Sequence, residues 1–158
     1  MTSNISRAVL IAPLIFVCHF VEESPWFVEW FNAHVPRGIT SGAFWRVNLT
    51  ALMITVTIVA IEYFSRSGVS LTLLIGWLGF LMGANALFHV LASIVDRGYV
   101  PGLVTAVLLY IPYYVWLFAS AVKSRRSSVP VLFTAAGLCS IPMLTHGYLI
   151  VFQGDRLF

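Results

Sequence analysis

A histidine and two carboxylates lie close together near the start of the chain, in the string Cys18-His-Phe-Val-Glu-Glu-Ser24. Because residues three and four apart share one face of a helix, Glu22 and Glu23 both lie near the face of His19. The string follows an apolar run and precedes Pro25. Ionisable groups at the end of a membrane-type segment are costly to place there, so they mark a candidate functional site. An imidazole beside carboxylates indicates metal binding or acid–base chemistry.

Two further histidines lie in later apolar segments. His89 follows Asn85 by four residues, so both lie on one helix face, and His146 lies in the string Leu-Thr-His-Gly-Tyr. Zinc, iron and manganese accept histidine nitrogen and carboxylate oxygen. We therefore predict a divalent transition metal, iron or zinc, held by His19, Glu22, Glu23, His89 and His146. Asn85 would orient His89 or contact a substrate.

The string Tyr99-Val-Pro-Gly-Leu-Val-Thr105 opens the fourth apolar segment. Pro101 suits the first turn of a helix, because its missing N–H would be unsatisfied there, and Gly102 allows the close approach of a neighbour. Thr105 follows one turn later and faces the depth of the histidines. The start of a helix accounts for the proline and the glycine, but not for the two hydroxyl groups. The predicted catalytic residues are Glu23, Asn85, Tyr99 and Thr105.

The composition is that of an integral membrane protein. Of the 158 residues, 59% are hydrophobic and 9% are charged, whereas a soluble domain carries about 25% charged residues. The basic residues lie between apolar segments rather than in a stripe, which fits a topology signal and argues against nucleic-acid binding. Cys18 and Cys139 lie inside apolar runs, where cysteine is usually a small buried hydrophobe, so no disulfide is expected. The length allows one domain, residues 1–158.

Five apolar segments predict an all-α fold, a polytopic bundle of five transmembrane helices. Each segment is close to the roughly 20 residues that cross a bilayer core, and the segments lack the strict alternation of strands. They are Ser6–Glu23, Phe44–Phe64, Val69–Val95, Val100–Val122 and Val129–Phe152. The aromatic-rich connection Ser24–Ala43 predicts either a short interfacial helix after the first segment or a loop with aromatic anchors.

The basic residues predict an orientation. With five crossings, one side of the membrane carries the N-terminus together with Arg7, Arg66, Lys123, Arg125 and Arg126. The positive-inside rule places that side in the cytoplasm and the C-terminus outside. The first, third and fifth helices end on the other side, so His19, His89 and His146 lie roughly 7–10 Å in from one boundary. This shared depth is expected to bring the predicted ligands together near the outer leaflet.

Two polar residues near the same boundary are predicted substrate contacts. Asn48 lies a few residues inside the second helix and Arg46 lies beside it. Asn48 is expected to line the site. Arg46 would either receive an anionic group of the substrate or pair with a carboxylate of the cluster.

The remaining polar residues are interpreted structurally. Glu62 and Arg66 are four apart and predict a surface ion pair. His34 is expected to be solvated in the long connection, and Asp96 with Arg97 to form an ordinary loop pair. Interfacial packing is favoured over the lining of a lipid-accessible cavity for Tyr110, Tyr113, Tyr114 and Trp116.

Three strings resemble, in order, the motifs of the HXXEE-domain membrane proteins: His19-x-x-Glu22-Glu23, Asn85-x-x-x-His89 and Tyr99-x-Pro101-Gly102-x-x-Thr105. The resemblance extends from the first helix to the fourth. It implies a small bacterial or archaeal multi-helix membrane protein, which we expect in a bacterial inner membrane. It implies no particular reaction, because the family is named for its motif. His146 lies outside these motifs.

The leading hypothesis is an integral-membrane metalloenzyme, an oxidoreductase or a hydrolase. Its expected partners are the lipid bilayer and a lipid-like or apolar small molecule that enters laterally. One alternative is a metal-free isomerase of an isoprenoid-like substrate, in which a histidine and a glutamate act as acid and base. Another alternative is a protein that binds or transports metal ions or protons. Transport is less favoured, because the inner halves of the helices offer no chain of polar residues leading to the cluster.

Overall fold

The computed structural model describes Ile5 and residues 7–157 of the chain. Within those residues the protein consists of six helices and no strand, which confirms the all-α prediction. The helices are α1 (Val9–Glu23), α2 (Phe27–His34), α3 (Ser41–Ser65), α4 (Gly68–Asp96), α5 (Leu103–Ser124) and α6 (Val129–Gln153). The predicted start of the first segment at Ser6 lies outside the described residues. Cys18 and Cys139 are free, but both are exposed rather than buried.

Four helices, α3 to α6, are long and apolar enough to cross a membrane. The short helices α1 and α2 are bent by 66° against each other, and they make a fifth span when the pair is counted as one. Alone, α1 is about 22 Å long, shorter than a bilayer core of about 30 Å. The short helix expected after the first segment is confirmed as α2.

Helix α4 forms the centre of the bundle. Its apolar window is 56% buried, against 11% for that of α6 and 17% for that of α5. The other helices therefore surround α4 and leave their outer faces apolar and exposed. Small residues let α6 approach α4: a Cβ on Gly76 would lie 2.9 Å from the Cys139 sulfur, and one on Gly79 would lie 3.3 Å from Ala136. Close backbone approach through small residues is the usual packing of membrane helices.

Two stretches of π-helix flank the residues of interest. In α4 the stretch Gly79–Ala84 ends directly before Asn85, and in α5 the stretch Ala106–Tyr110 begins directly after Thr105. A π-bulge inserts a residue into the helix and so changes the direction of the side chains that follow; such bulges are frequent at functional sites. A third stretch, Leu149–Gln153, ends α6.

The helix α2 is fastened to the end of α4. The Trp30 indole N–H donates to Asp96 Oδ2 at 2.7 Å, and His34 Nε2 lies 3.1 Å from Asp96 Oδ1. His34 therefore ends a helix instead of lying in a loop, with 27% of its side chain exposed, and the prediction of an Asp96–Arg97 loop pair is wrong because Asp96 pairs with α2. Arg97 ends α4 in the left-handed conformation, so the chain reverses there and Asp96 is left facing α2.

A buried ion pair joins the helix ends on the opposite side of the bundle. Glu62 has no exposed surface, and its two carboxylate oxygens accept from Arg126 Nη1 and Nη2 at 2.7 and 2.8 Å. The Ser70 hydroxyl donates to the same carboxylate at 2.7 Å. The predicted surface pair of Glu62 with Arg66 is wrong. Arg66 follows α3 in the left-handed conformation, so the helical spacing of four residues is broken before its side chain.

Candidate metal centre

A histidine–glutamate cluster joins α1 to α4. His19 and Glu23 lie one turn apart in α1, and His89 lies in the second half of α4. Both imidazoles have no exposed surface, and Glu23 is 5% exposed. Glu23 Oε1 lies 3.2 Å from His89 Nε2 and 3.5 Å from His19 Nε2. One ligand atom from each of the three residues lies within 4.8 Å of the other two, so a single ion could contact all three.

Three of the four imidazole nitrogens of this cluster lack hydrogen-bond partners among the described residues. The unpartnered atoms are His19 Nε2 and both ring nitrogens of His89. Leaving a buried polar atom unpaired costs about 1–3 kcal/mol. Two ligand atoms bound about 2.0–2.1 Å from a tetrahedral zinc ion lie about 3.3 Å apart. The distances from Glu23 to the two histidines, 3.2 and 3.5 Å, lie on either side of that value, so these two separations are compatible with a shared metal ion.

Thr105 connects His19 to Glu22. Its hydroxyl lies 2.8 Å from His19 Nδ1 and 2.5 Å from Glu22 Oε2. A carboxylate accepts only, so the single threonine proton goes to Glu22 and the oxygen accepts from the His19 Nδ1–H. In the neutral imidazole this leaves a lone pair on Nε2, the atom that faces Glu23. A hydrogen bond that fixes the tautomer is what metal-ligating histidines usually have.

Glu22 caps the first turn of α5 rather than joining the cluster. Its carboxylate accepts from the backbone N–H groups of Val104 and Thr105 at 3.0 and 2.7 Å, and from the Tyr99 hydroxyl at 2.7 Å. Unpaired N–H groups at a helix start favour such an anion. Partial burial, and then the hydrogen bond and charge of Glu22, raise the pKa of Tyr99 to about 12. Glu22 therefore anchors α5 and positions His19 through Thr105.

Gly102 lies directly against both imidazoles. Its φ of +96° is in the region that favours glycine, and a Cβ there would lie 2.6 Å from His89 Cε1 and 2.9 Å from His19 Cε1. The neighbours whose close approach Gly102 allows are thus the two imidazoles of the cluster. The Pro–Gly turn allows α5 to begin at Leu103 rather than at Val100, and so brings Thr105 to Glu22.

Tyr110 is a residue whose place in the site the sequence reasoning did not give. Its ring centroid lies 4.2 Å from that of His19. The side chain is fully buried, and its hydroxyl has no hydrogen-bond partner among the described residues. In the sequence its one signal is its position five residues after Thr105, and its expected role there is packing. The π-helical stretch that ends at Tyr110 turns this residue toward α1 instead.

A cavity of about 160 Å³, here called the apolar cavity, adjoins the cluster at Glu23. Its polar lining includes Asn48, Asn85 and His146, and most of the remaining lining is aromatic or aliphatic. Asn48 lies on the cavity wall, and its role as a substrate contact stays a prediction. Asn85 lines the cavity and makes no hydrogen bond to His89, so the structure does not show it orienting His89, and its role as a substrate contact stays a prediction.

His146, Arg46 and Glu22 are among the predicted site residues that lie outside the cluster. His146 is on the cavity wall, where its Nδ1 accepts from the Leu157 N–H at 3.1 Å and its ring stacks on Phe31. Arg46 is exposed and lines neither the cluster nor the apolar cavity. Glu22 has the capping role described above. The structure thus brings together three of the five predicted ligands, His19, Glu23 and His89.

Comparison with known proteins places this arrangement in a family. A family model described as "Protein of unknown function with HXXEE motif" matches residues 10–117, which include every residue of the cluster. The chain is also 32% identical over 98 residues to the "Uncharacterized protein YrkK" of Bacillus subtilis (strain 168). That match covers 60% of this chain and 61% of the relative. No solved structure matches the chain. The chain belongs to the family of proteins with an HXXEE motif.

Proposed function

We propose that the protein is an integral-membrane metalloenzyme whose divalent transition metal is held by His19, Glu23 and His89. The observation that carries this proposal is that two unpartnered imidazole nitrogens face one carboxylate oxygen in a buried cluster. A pair of histidines with one carboxylate is a ligand set of zinc hydrolases and of non-haem iron oxygenases. Both leave coordination positions for water or substrate.

The bound metal would activate water or polarise a substrate oxygen if it is zinc, and would supply redox chemistry if it is iron. The chain itself supplies position and shielding. Glu22 and Thr105 hold His19 in the tautomer that a ligand needs. Gly102 closes the cluster against α5, and Asn85 offers a polar contact to a molecule in the apolar cavity. Among the residues that the structure describes, one carboxylate belongs to the cluster, against the four of a ferritin-like di-iron site, so a single metal ion is proposed.

The substrate is proposed to be lipid-like or otherwise soluble in the membrane. The cluster lies close to one end of the membrane helices: His89 precedes the end of α4 by seven residues, about 10 Å. The distribution of basic residues supports an outer-leaflet position with the N-terminus in the cytoplasm. A molecule dissolved in the bilayer could then enter the apolar cavity sideways.

Metal analysis of the purified protein tests the proposal. We expect about one iron or zinc per chain, lost in the His19→Ala/His89→Ala double variant. His34→Ala is the matched control, since His34 bonds Asp96 outside the cluster, and it should retain the metal. His146→Ala should also retain it. Folded wild-type protein without metal after growth in metal-supplemented medium, or a double variant that keeps its metal, would refute the proposal.

A metal-free acid–base mechanism is the second candidate. The observation that favours it is the 3.2 Å separation of Glu23 Oε1 and His89 Nε2, which is short enough for proton transfer after a small rotation. Such an enzyme would keep its activity after chelation and dialysis. The metalloenzyme would lose activity under that treatment and recover it when the metal is returned.

A further inference from the structure

The apolar cavity adjoins a second, polar recess at the surface. This polar groove is lined by Asn32, Arg37, Gly38, Ile39, Thr40, Ala43 and Arg156. Three of its residues, Ile39, Ala43 and Arg156, also line the apolar cavity. The two spaces therefore meet at a shared wall. One runs to Glu23 of the cluster, and the other runs to the surface beside the start of α3.

The groove carries two guanidinium groups. Within the described residues neither Arg37 nor Arg156 forms an ion pair. The neighbouring carboxylate of Asp155 accepts the backbone N–H of Arg156 at 2.8 Å. Two arginines with no carboxylate partner make a site for an anion, because a guanidinium binds carboxylate and phosphate oxygens in pairs.

The backbone beside the groove also favours a negatively charged group. Thr40 caps α3, and its hydroxyl accepts the N–H of Ala43 at 3.1 Å. The start of a 25-residue helix thus lies at the groove, and a helix N-terminus favours negative charge. The turn before it is held in shape by Asn32, whose side chain accepts from and donates to the backbone of Ile39.

The apolar cavity determines the size and the apolar character of the other end of the ligand. Its volume of about 160 Å³ is close to that of apolar protein cavities of about 150 Å³ that accept a benzene-sized molecule. Phe27, Phe31, Phe44 and Phe88 form much of its wall. A group of about six carbons fits such a space.

We infer that the protein binds an anionic amphiphile, whose apolar end occupies the cavity beside Glu23 and whose anionic group is bound between Arg37 and Arg156 in the polar groove. This inference rests on the proposed function, and it names the substrate class for that cluster. The bound molecule would cross from the cavity to the groove at Ile39 and Ala43, which line both spaces. Orientation follows, since only one end of such a molecule reaches the cluster.

Calorimetric titration with three probes tests the inference: hexyl phosphate, hexanol and inorganic phosphate, each added to purified protein in neutral detergent. We expect hexyl phosphate to bind about tenfold or more tightly than either of the other two, because each lacks one half of the recognition. The preference over hexanol should weaken in high salt, since the arginines are partly solvated and only the phosphate carries a charge. Equal binding of hexanol, or equal binding of inorganic phosphate, would overturn the inference.

The variants locate the anionic group. Arg37→Gln/Arg156→Gln should lose about tenfold in hexyl phosphate affinity, and Arg37→Lys/Arg156→Lys should keep a part of it. Arg46→Gln is the matched control, because Arg46 is exposed on the same side and lines neither space. A loss in the control that equals the loss in the double variant would overturn the assignment.

The titration is repeated on the His89→Ala variant, which should bind no metal. If this variant binds hexyl phosphate and the wild-type protein contains no metal, the metalloenzyme proposal is refuted and the amphiphile site is supported. Metal present with no preference for hexyl phosphate would refute the amphiphile site alone.

Discussion

The Nδ1 atom of His19 lies 2.8 Å from the hydroxyl of Thr105, 86 positions later in the chain. This contact joins the start of the bundle to the start of α5. Because Thr105 also donates to Glu22, it determines which nitrogen of His19 carries the proton. The adjacent glutamates of the motif therefore have different roles: Glu22 fixes the orientation of His19, and Glu23 faces the metal position.

Thr105→Val should weaken metal binding by about 10- to 100-fold, the usual cost of losing the partner of a ligating histidine. Thr105→Ser keeps the hydroxyl and should restore most of the affinity. Competition with a chromogenic chelator measures the change. Thr57→Val is the control, since its exposed hydroxyl bonds its own helix at Met53. Unchanged affinity in Thr105→Val would contradict the role assigned to the hydroxyl.

Tyr99 should make stability depend on pH in the alkaline range. Its pKa is raised from 10.0 to about 12, so the folded state holds the phenol proton more tightly than the unfolded state does. The stabilisation is full below about pH 10 and is lost as the pH rises toward about 12. Tyr99→Phe should therefore lose less thermal stability than wild type between about pH 10 and 12. Tyr63→Phe is the control, and equal losses in wild type and Tyr99→Phe would contradict the prediction.

Gly102→Ala should abolish metal binding and lower the melting temperature. The added Cβ would overlap His89 Cε1 at 2.6 Å and His19 Cε1 at 2.9 Å, and the positive φ costs about 1–2 kcal/mol in addition. Metal analysis and thermal denaturation measure the two effects. Gly98→Ala is the matched control in the same connection, because its Cβ meets only the Asp96 carbonyl at 3.7 Å. A Gly102→Ala protein that keeps its metal would show that α5 does not close the cluster.

The sequence predicts the parts of the site that depend on local spacing. Apolar run lengths place His19 and His89 at a common depth, and helical periodicity puts Glu23 on the face of His19. The choice between Glu22 and Glu23 cannot be made in this way, since both lie within one turn of the histidine. The position of α5 decides it, because its free N–H groups bind Glu22 and leave Glu23 to the cluster.

Long-range partners account for the predictions that were wrong. Glu62 pairs with Arg126, 64 positions away, because Arg66 and Arg125 both reverse the chain in the left-handed conformation. Spacing along one helix carries no information about such a partner. The same holds for His34, whose partner Asp96 is 62 positions away.

The pair of Glu62 and Arg126 predicts a stability effect that is separate from the metal. Both side chains are largely buried, with 0% and 12% of their surfaces exposed. Removing one partner leaves a buried charge unpaired, which costs about 3–5 kcal/mol, whereas replacing both by apolar residues is often neutral. Glu62→Leu and Arg126→Met should therefore each lower the melting temperature strongly, and the double variant should recover most of the loss. Arg66→Met, at an exposed neighbouring position, is the control.

The amount of bound metal should depend on the cluster and not on the Glu62–Arg126 pair. Glu62 lies about 21 Å along α3 from Asn48, which lines the apolar cavity. Folded protein of the Glu62→Leu/Arg126→Met variant should thus bind as much metal per chain as wild type, measured on the monodisperse fraction. Loss of metal from a double variant with a wild-type melting temperature would contradict this, because it would mean that the two ends of the bundle are coupled. Thr105→Val should give the opposite pattern, with weaker metal binding and a smaller change in melting temperature, since its side chain is only partly buried.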